Sequence, residues 1–428
     1  MAVLINRRIA QWQGACLHTD EAKAFAARSS CATSPHLLFL SHCVPYPPDK
    51  GDRIRAYYLL RRLTQSYRVH VACFARTAAE LEHARKLDRC ASVYVEYLPK
   101  FPSLARAGLR FLGGGCLTTS FFGSRRLSAH VAEIAKLPPA ATVAYSSAMA
   151  QYAPRDVPLL LDMVDVDSEK WLQYAEVRRA GCLYRAEGRR LRRLESEAGE
   201  RALCTTFATE PEMRLFQQFA PRTVAGFVEN AVDFAYFDPE ASPSLPELSG
   251  RRYAMFLGAM SYFPNADAVS WFAETILARV RQRQPAFEFL VVGRDPTARV
   301  KRLASRAGVT VTGAVPDVRP YLLSAQAVVA PLRIARGIQN KVLEALAMGK
   351  PVLASEAVCK TFGREIPKGV IRCEREEDYA SAIESSGFPD AEAIRGAARK
   401  RFSWDNLDLI VSALKDIGTQ RRLVAARE

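Results

Sequence analysis

No stretch of eighteen predominantly apolar, uncharged residues occurs, so a membrane-spanning helix is not expected. The longest uncharged run, Leu137 to Pro154, is broken by Pro138 and Pro139 and holds several polar side chains. Near the N-terminus, Asp20, Glu21 and Lys23 stand where a secretion signal needs an apolar run, so none is expected there. The 10 cysteines are scattered, and no Cys-x-x-Cys occurs. That excludes a dense disulfide framework and a paired-ligand zinc site; reduced thiols in a cytoplasmic protein are expected. All 6 histidines lie at or before His130, so the second half of the chain can supply no histidine base. Solenoid-type repeats and recognised nucleic-acid motifs are also missing. Acid is short as well. Lys and Arg number 60 against 45 Asp and Glu, a net charge of +15. Such an excess suits an anionic partner: a nucleotide, a phospholipid surface or a nucleic acid. An Arg-rich surface that serves only solubility reads the same way.

What is present is ordinary globular composition. The chain has 428 residues, 49% apolar and 25% charged, enough for two domains with real cores. Residues 1–35 show no clear period and are expected as a loose extension. His36–Ser41 is a short apolar run of the buried parallel type. A Pro-rich turn, Val44 to Gly51, leads into a helix from Asp52, and Val69–Phe74 is the next strand. This β-loop-α-β order opens a doubly wound sheet. Further strands are expected at Ser92–Tyr97, Thr142–Tyr145, Leu159–Met163, Ala202–Thr206 and Thr223–Phe227, with one long arginine-rich helix from Ser168 to Arg201. The pattern then restarts. Strands are expected at Tyr253–Gly258, Phe287–Val292, Val309–Thr312, Ala327–Ala330 and Pro351–Ala354, with a helix over Asn340–Met348. The predicted class is α/β: two doubly wound Rossmann-like domains, 36–228 and 229–401, followed by a C-terminal helix at 402–428. In open α/β sheets ligands sit outside the carboxyl ends of the strands, and with two such domains the expected site is a cleft between them.

The densest chemical signal is Arg333 to Ser355. A strand ends, a loop carries Arg333, Arg336 and Gly337, and a helix starts near Gln339 or Asn340. Backbone N–H groups at a helix start, the helix dipole and two arginines together suit a diphosphate. Glu344 lies about 6 Å along the helix axis from Asn340. A carboxylate there suits a bidentate hydrogen bond to vicinal ribose hydroxyls. An ordinary loop before a helix with one solvated Glu gives the same pattern.

The run Glu344-Ala-Leu-Ala-Met-Gly349-Lys-Pro-Val352 resembles the second half of the signature of retaining GT-B glycosyltransferases of the family-4 type. That signature is an acid, seven residues, a second acid, then an Ala-rich turn ending in Gly-x-Pro-Val. The first acid falls at Arg336, so the chain departs there; an arginine suits phosphate or an acidic sugar. Phe256-Leu257-Gly258 resembles the first loop of the family's donor domain, although the usual Arg and Lys clamp is missing from Ala259–Asp267. Val292-Gly293 and Gly313–Asp317 resemble loops that pass the nucleotide base. Glu229–Asp233 resembles the domain junction, and Phe402–Asp405 the C-terminal signature. The motifs VPYPPDKGDRIR, YSSAMAQY, DMVDVDSEKW, MSYFPNADAVSWF and PLRIARGIQNKVLEA are similar to exopolysaccharide sugar transferases of PEP-CTERM/exosortase loci.

The resemblance implies an N-terminal acceptor-side domain, a C-terminal donor domain and a final helix crossing back. It also implies sugar transfer with retention from a UDP- or GDP-type donor to a glycan or polyprenyl-linked acceptor. No metal and no further cofactor are expected. In such enzymes the leaving phosphate accepts the acceptor proton, and the protein positions and screens charge. The implied catalytic residues are Arg336, Glu344 and Asp165. The implied donor-binding set is Gly51, Gly258, Arg294, Gly313, Val315, Arg333, Gly337, Ile338, Lys341 and Glu344. Asp49, Lys50, Asp165 and Asp167 are implied on the acceptor side.

The first domain leaves alternatives open. Gly51 suits close approach of backbone to a phosphate, but Pro47, Pro48 and Gly51 are also plain turn residues. Asp162, Asp165 and Asp167 follow the Leu159 strand. Asp165-Val166-Asp167 reads as a metal-binding DxD, as an acceptor-orienting pair, or as a helix cap. His42 ends the first strand and is equally a packed loop residue. Lys100 to Lys136 holds six basic residues against Glu133 alone, around the uncharged run Phe111 to Ser124 with Leu112, Phe121 and Phe122. That suits the anionic inner face of the cytoplasmic membrane, or a buried loop. The helix with Arg178, Arg179, Arg185, Arg189, Arg190, Arg192 and Arg193 also carries Glu187, Glu195 and Glu197, and is expected as a salt-bridged solvated face. Two other functions compete with transfer. One is a degenerate nucleotide-binding protein without turnover, the other a basic nucleic-acid-binding protein.

Overall fold

The computed structural model describes residues 34–425 except 50, 88, 138, 178–180 and 386, with side chains as far as 416. The chain forms two units. Unit 1 runs to Val228 and takes the chain back from Asp405; unit 2 holds Glu229–Trp404.

Unit 1 is built on seven parallel strands: β1 (His36–Ser41), β2 (Arg68–Ala75), β3 (Ser92–Tyr97), β4 (Ala141–Tyr145), β5 (Leu159–Val164), β6 (Cys204–Phe207) and β7 (Ala225–Phe227). Their order is β3-β2-β1-β4-β5-β6-β7. Leu37 to Leu40 have no exposed surface, as a strand covered on both faces requires. Unit 2 repeats the scheme with β8 (Tyr253–Leu257), β9 (Glu288–Val292), β10 (Val309–Gly313), β11 (Ala327–Ala330), β12 (Val352–Ala354) and β13 (Val370–Arg372), in the order β10-β9-β8-β11-β12-β13. Each sheet reverses direction of growth once, between β1 and β4 and between β8 and β11. Those reversals open a crevice at the carboxyl ends of the strands. The β13 strand has no counterpart among the predicted strands.

The helices that bear on function are α1 (Gly51–Leu63), α2 (Lys100–Leu112), α3 (Leu117–Phe121), α4 (Asp167–Val177), α5 (Gly181–Arg201), α6 (Phe263–Trp271), α7 (Asn340–Ala347) and α8 (Asp408–Ala425). The single helix expected over Ser168–Arg201 is two, α4 and α5, packed on one another. Trp171 and Tyr184 set their rings 5.6 Å apart, and Glu169 pairs with Arg192. Aromatic contact and that ion pair hold a hairpin where helical periodicity alone reads as continuous. The salt-bridged solvated face expected of α5 holds in part: Arg193 and Glu197 form an exposed ion pair at 2.8 Å, but two of its acids turn inward. Glu187 and Glu195 are buried. Glu187 accepts from the backbone N–H groups of Leu117 (2.7 Å) and Thr118 (2.8 Å), supplying the start of α3 with a carboxylate.

Candidate nucleotide site

In unit 2 three backbone turns meet at the carboxyl ends of neighbouring strands. Gly258 follows β8 with φ 155°, Gly293 follows β9 with φ 148°, and Gly313 closes β10. A Cβ on Gly293 would lie 1.8 Å from the Gly258 carbonyl oxygen, and one on Gly258 would lie 2.7 Å from the Asn265 amide nitrogen. Only glycine fits such a shelf. It is laced by backbone hydrogen bonds: Gly293 N–H donates to Gly313 O (3.0 Å), and Met260 N–H to Arg294 O (2.9 Å).

Beneath the shelf lies Lys341, in the first turn of α7. It is buried, its Nζ donating to Asn265 Oδ1 at 2.7 Å and standing 4.1 Å over the Phe256 ring. Asn265 is fixed in turn, its amide donating to Ala259 O at 2.9 Å. The Lys341 partner is thus a neutral amide, and burial pushes the ammonium down to about 7. One turn on, burial pushes the half-buried Glu344 carboxyl up to about 7, with Lys341 pulling it back. An uneasy cation and an uneasy acid thus share a helix start. Its first N–H groups have no partner within the helix. An incoming phosphate would supply a full negative charge to Lys341, whose hydrogen-bond partner is an amide and whose acidic neighbour, Glu344, is held against ionisation.

The other implied donor residues take varied places. Ile338 and Gly337 are buried at the turn into α7. Arg336 is half-buried on that loop, and its carbonyl accepts from the Gln339 side chain at 3.1 Å. Arg333 is spent on Asp267, with Nε to Oδ2 at 2.8 Å. Arg294 is half-exposed, its Nε 3.9 Å from Asp295 Oδ2. Val315 packs against the unit 2 core. The sequence reading missed Tyr236 and Arg319. The Arg319 guanidinium lies 4.2 Å over the Tyr236 ring and donates to Asp317 at 2.7 Å. Burial, Asp317 and Glu344 together raise the Tyr236 hydroxyl, which places that ring beside the Glu344 field.

Unit 1 reverses at His42 and Tyr145, whose rings stack 5.6 Å apart. Burial lowers the His42 imidazole below its usual range, against Asp52 and Asp167. Asp165 and Asp167 both reach Lys170, at 3.1 and 3.0 Å. A side-chain ammonium already bridges the pair that reads as a metal-binding DxD. Asp167 also accepts weakly from Ser147 Oγ at 3.5 Å. Val164, just before Asp165, has φ 67°, and Asp165 N–H donates back to Met163 O at 2.8 Å. That is the strained three-residue turn, and a β-branched residue in it is uncommon. No sequence signal announces it.

One expectation changes here. Asp162 does not follow its strand; it lies within β5, fully buried, gripped by Arg55 Nε at 2.8 Å and Nη2 at 3.1 Å, and accepting from Thr206 at 3.0 Å. Its role is internal. Asp49 pairs with Arg53 at 3.2 Å beside the start of α1, whose first residue is Gly51. Lys50 lies outside the described residues. One further group, His42, Cys43 and Asp52, brings three potential metal-ligand atoms within 4.8 Å. Burial pushes the Cys43 thiol up to about 12, so it keeps its proton.

The comparisons agree with this picture. Residues 251–385 match the family of glycosyl transferases group 1. Among solved structures, Anabaena HepE in complex with UDP and glucose is 14% identical, with TM-score 0.61, over 89% of this chain and 99% of that one. Sucrose-phosphate synthase from Thermosynechococcus elongatus is 16% identical, with TM-score 0.64, over 92% and 100%. WaaG, a glycosyltransferase involved in lipopolysaccharide biosynthesis, is 15% identical, with TM-score 0.60, over 89% and 99%. Among curated proteins none matches by sequence. The fold is GT-B: two Rossmann-like, parallel-sheet domains.

Proposed function

We propose that this protein is a metal-independent, retaining glycosyltransferase of the family-4 type. It moves a sugar from a UDP- or GDP-type donor to a glycan or lipid-linked acceptor, in exopolysaccharide assembly of the kind tied to PEP-CTERM loci. The observation that carries the reading is Lys341, buried at a helix start beneath a glycine shelf, hydrogen-bonded to a neutral amide and with Glu344, itself held against ionisation, as its acidic neighbour. The match of residues 251–385 to a glycosyltransferase family supports it, as do solved structures of this fold that hold UDP. Retention, the locus and the acceptor rest on the motif resemblance.

In this reading the α7 N-terminus and Lys341 hold the diphosphate. Glu344 accepts from the ribose hydroxyls. The bare backbone at Gly258 and Gly293 lets phosphate and sugar come close. Arg336, standing where the resemblance expects an acid, grips phosphate or an acidic sugar. The leaving phosphate takes the acceptor proton, so the protein needs no base in unit 2. Asp49, Lys50, Asp165 and Asp167 serve the acceptor, with Asp165 directly following the strained turn at Val164. Gly51 offers an α1 N–H group to the donor.

The test is calorimetric titration with UDP, GDP and their common sugars, with and without EDTA, followed by release of nucleotide from any donor that binds. Selective, EDTA-insensitive binding with slow donor hydrolysis supports the reading. Binding without turnover in the presence of any acceptor supports the degenerate form, which Arg336 and the clamp missing from Ala259–Asp267 favour. Binding abolished by EDTA overturns the metal-independent mechanism.

A further inference from the structure

Helix α2 is built inside out. Its residues KFPSLARAGLRFL contain three cations, Lys100, Arg106 and Arg110, and no acid. The side set down on the protein is small: Ser103 and Ala107 are the buried residues. At 100° per residue, Leu104, Phe101, Leu112 and Leu109 fall on one arc of about 140°, centred roughly 130° round the helix from Ala107. Those side chains are 47%, 80%, 83% and 72% exposed, respectively. An ordinary surface helix turns such an arc inward, and single exposed leucines need no explanation, but four large side chains on one arc do. Lys100 flanks the arc on one side and Arg106 on the other, both exposed.

The helix is anchored for this posture. Arg190 of α5 donates to Phe111 O at 2.7 Å and Gly115 O at 2.9 Å, and lies 4.4 Å over the Phe111 ring. Phe122 is buried, and its carbonyl accepts from the Tyr152 hydroxyl; Phe121 is half-buried. The aromatics that the sequence offers for a surface role therefore face inward. The preceding helix carries the apolar surface instead, with exposed Arg125 and Arg126 further along the chain.

We infer that α2 lies in the headgroup region of an anionic bilayer, with Phe101, Leu104, Leu109 and Leu112 among the acyl chains and Lys100 and Arg106 at the phosphates. Charge complementarity selects this occupant. An acid-free apolar face rimmed by cations matches a negative lipid surface and disfavours a second copy of itself, whose facing rim carries the same sign. The inference stands independently of sugar transfer.

Sedimentation of the full-length protein with vesicles tests it. The probes are phosphatidylcholine alone and phosphatidylcholine with 30%, roughly physiological, phosphatidylglycerol. The protein is expected to pellet with the anionic vesicles and to be released by high salt. The triple variant F101S/L109S/L112S is expected to stay in the supernatant with a nearly unchanged Tm, since those side chains are mostly exposed. Replacing Lys100 and Arg106 by Gln keeps the apolar arc and is expected to weaken binding about fivefold per cation. Nucleotide binding is expected to survive in both variants, so failure here leaves the transferase reading standing, and the reverse holds too. Wild-type protein that ignores both vesicle types overturns the inference. So does equal binding to neutral and anionic vesicles, or a concentration-dependent dimer that the triple variant dissolves.

Discussion

The two units share one strand order and reverse at equivalent places, yet their polar clusters are in opposite states. In unit 1 the cations nearest the reversal are paired with acids, although Glu195, buried beside Asp167, is itself pushed up to about 8. Arg55 forks Asp162, and Lys170 bridges Asp165 and Asp167. In unit 2 Lys341 is buried against an amide and a ring, and Glu344 is held against ionisation. A satisfied cluster spends its electrostatics on holding the fold. An unsatisfied one keeps a cost that a ligand of the right charge can remove. Within a single fold, the contrast favours unit 2 as the place for the proposed nucleotide.

The comparison can be broken most forcefully at Arg55. Arg55→Met leaves Asp162 charged and buried, and a loss of about 3–5 kcal/mol is expected, read from urea denaturation. Adding Asp162→Leu should recover most of it. At Lys341 the sign of the stability effect reverses. Lys341→Met is expected to hold or raise Tm, by up to a few degrees, while cutting affinity for a nucleoside diphosphate by about a hundredfold or more. If K341M costs as much stability as R55M, the two clusters are alike and the contrast fails.

Glu344→Gln comes next, with about 1.5–3 kcal/mol lost from donor binding, the range for a hydrogen bond to a charged group. Unchanged donor affinity in titration removes Glu344 from the ribose role. Smallest is Arg333→Ala. Its guanidinium is committed to Asp267 at an exposed site, so a change below about 1 kcal/mol in either stability or binding is expected. A large loss of binding would show that this pair opens to take phosphate.

Much of the fold was legible because parallel strands announce themselves. Runs such as Leu37–Leu40 and Phe289–Val292 are apolar without interruption, and each is followed by a turn. The loop before α7 was legible for the same reason. What escaped were relations across long sequence distance. Nothing near Lys341 in the chain says that Asn265 and Phe256 will enclose it. The Arg55–Asp162 fork joins residues 107 apart in the chain, and Asp162 instead read as a loop acid because two acids follow it. The outward posture of α2 was hidden as well: periodicity gives the apolar arc, but only packing on Ser103 and Ala107 says which way it turns. The charge rim was visible; of the side chains it was assigned to, Leu112 is exposed while Phe122 is buried and Phe121 half-buried.

The central claim is that Lys341 waits for an anion, and proton linkage tests it most directly. The free ammonium sits at about 7, and a bound diphosphate should raise it. Binding above pH 7.5 must then take up a proton, while Glu344, at about 7, is already ionised and contributes little. Titration of the wild-type protein with UDP and GDP between pH 7.5 and 9, in buffers of different ionisation enthalpy, reads this. The account predicts uptake approaching one proton and affinity falling by up to about tenfold per pH unit, with both features gone in K341M. Nucleotide binding that is indifferent to pH and to K341M would contradict it.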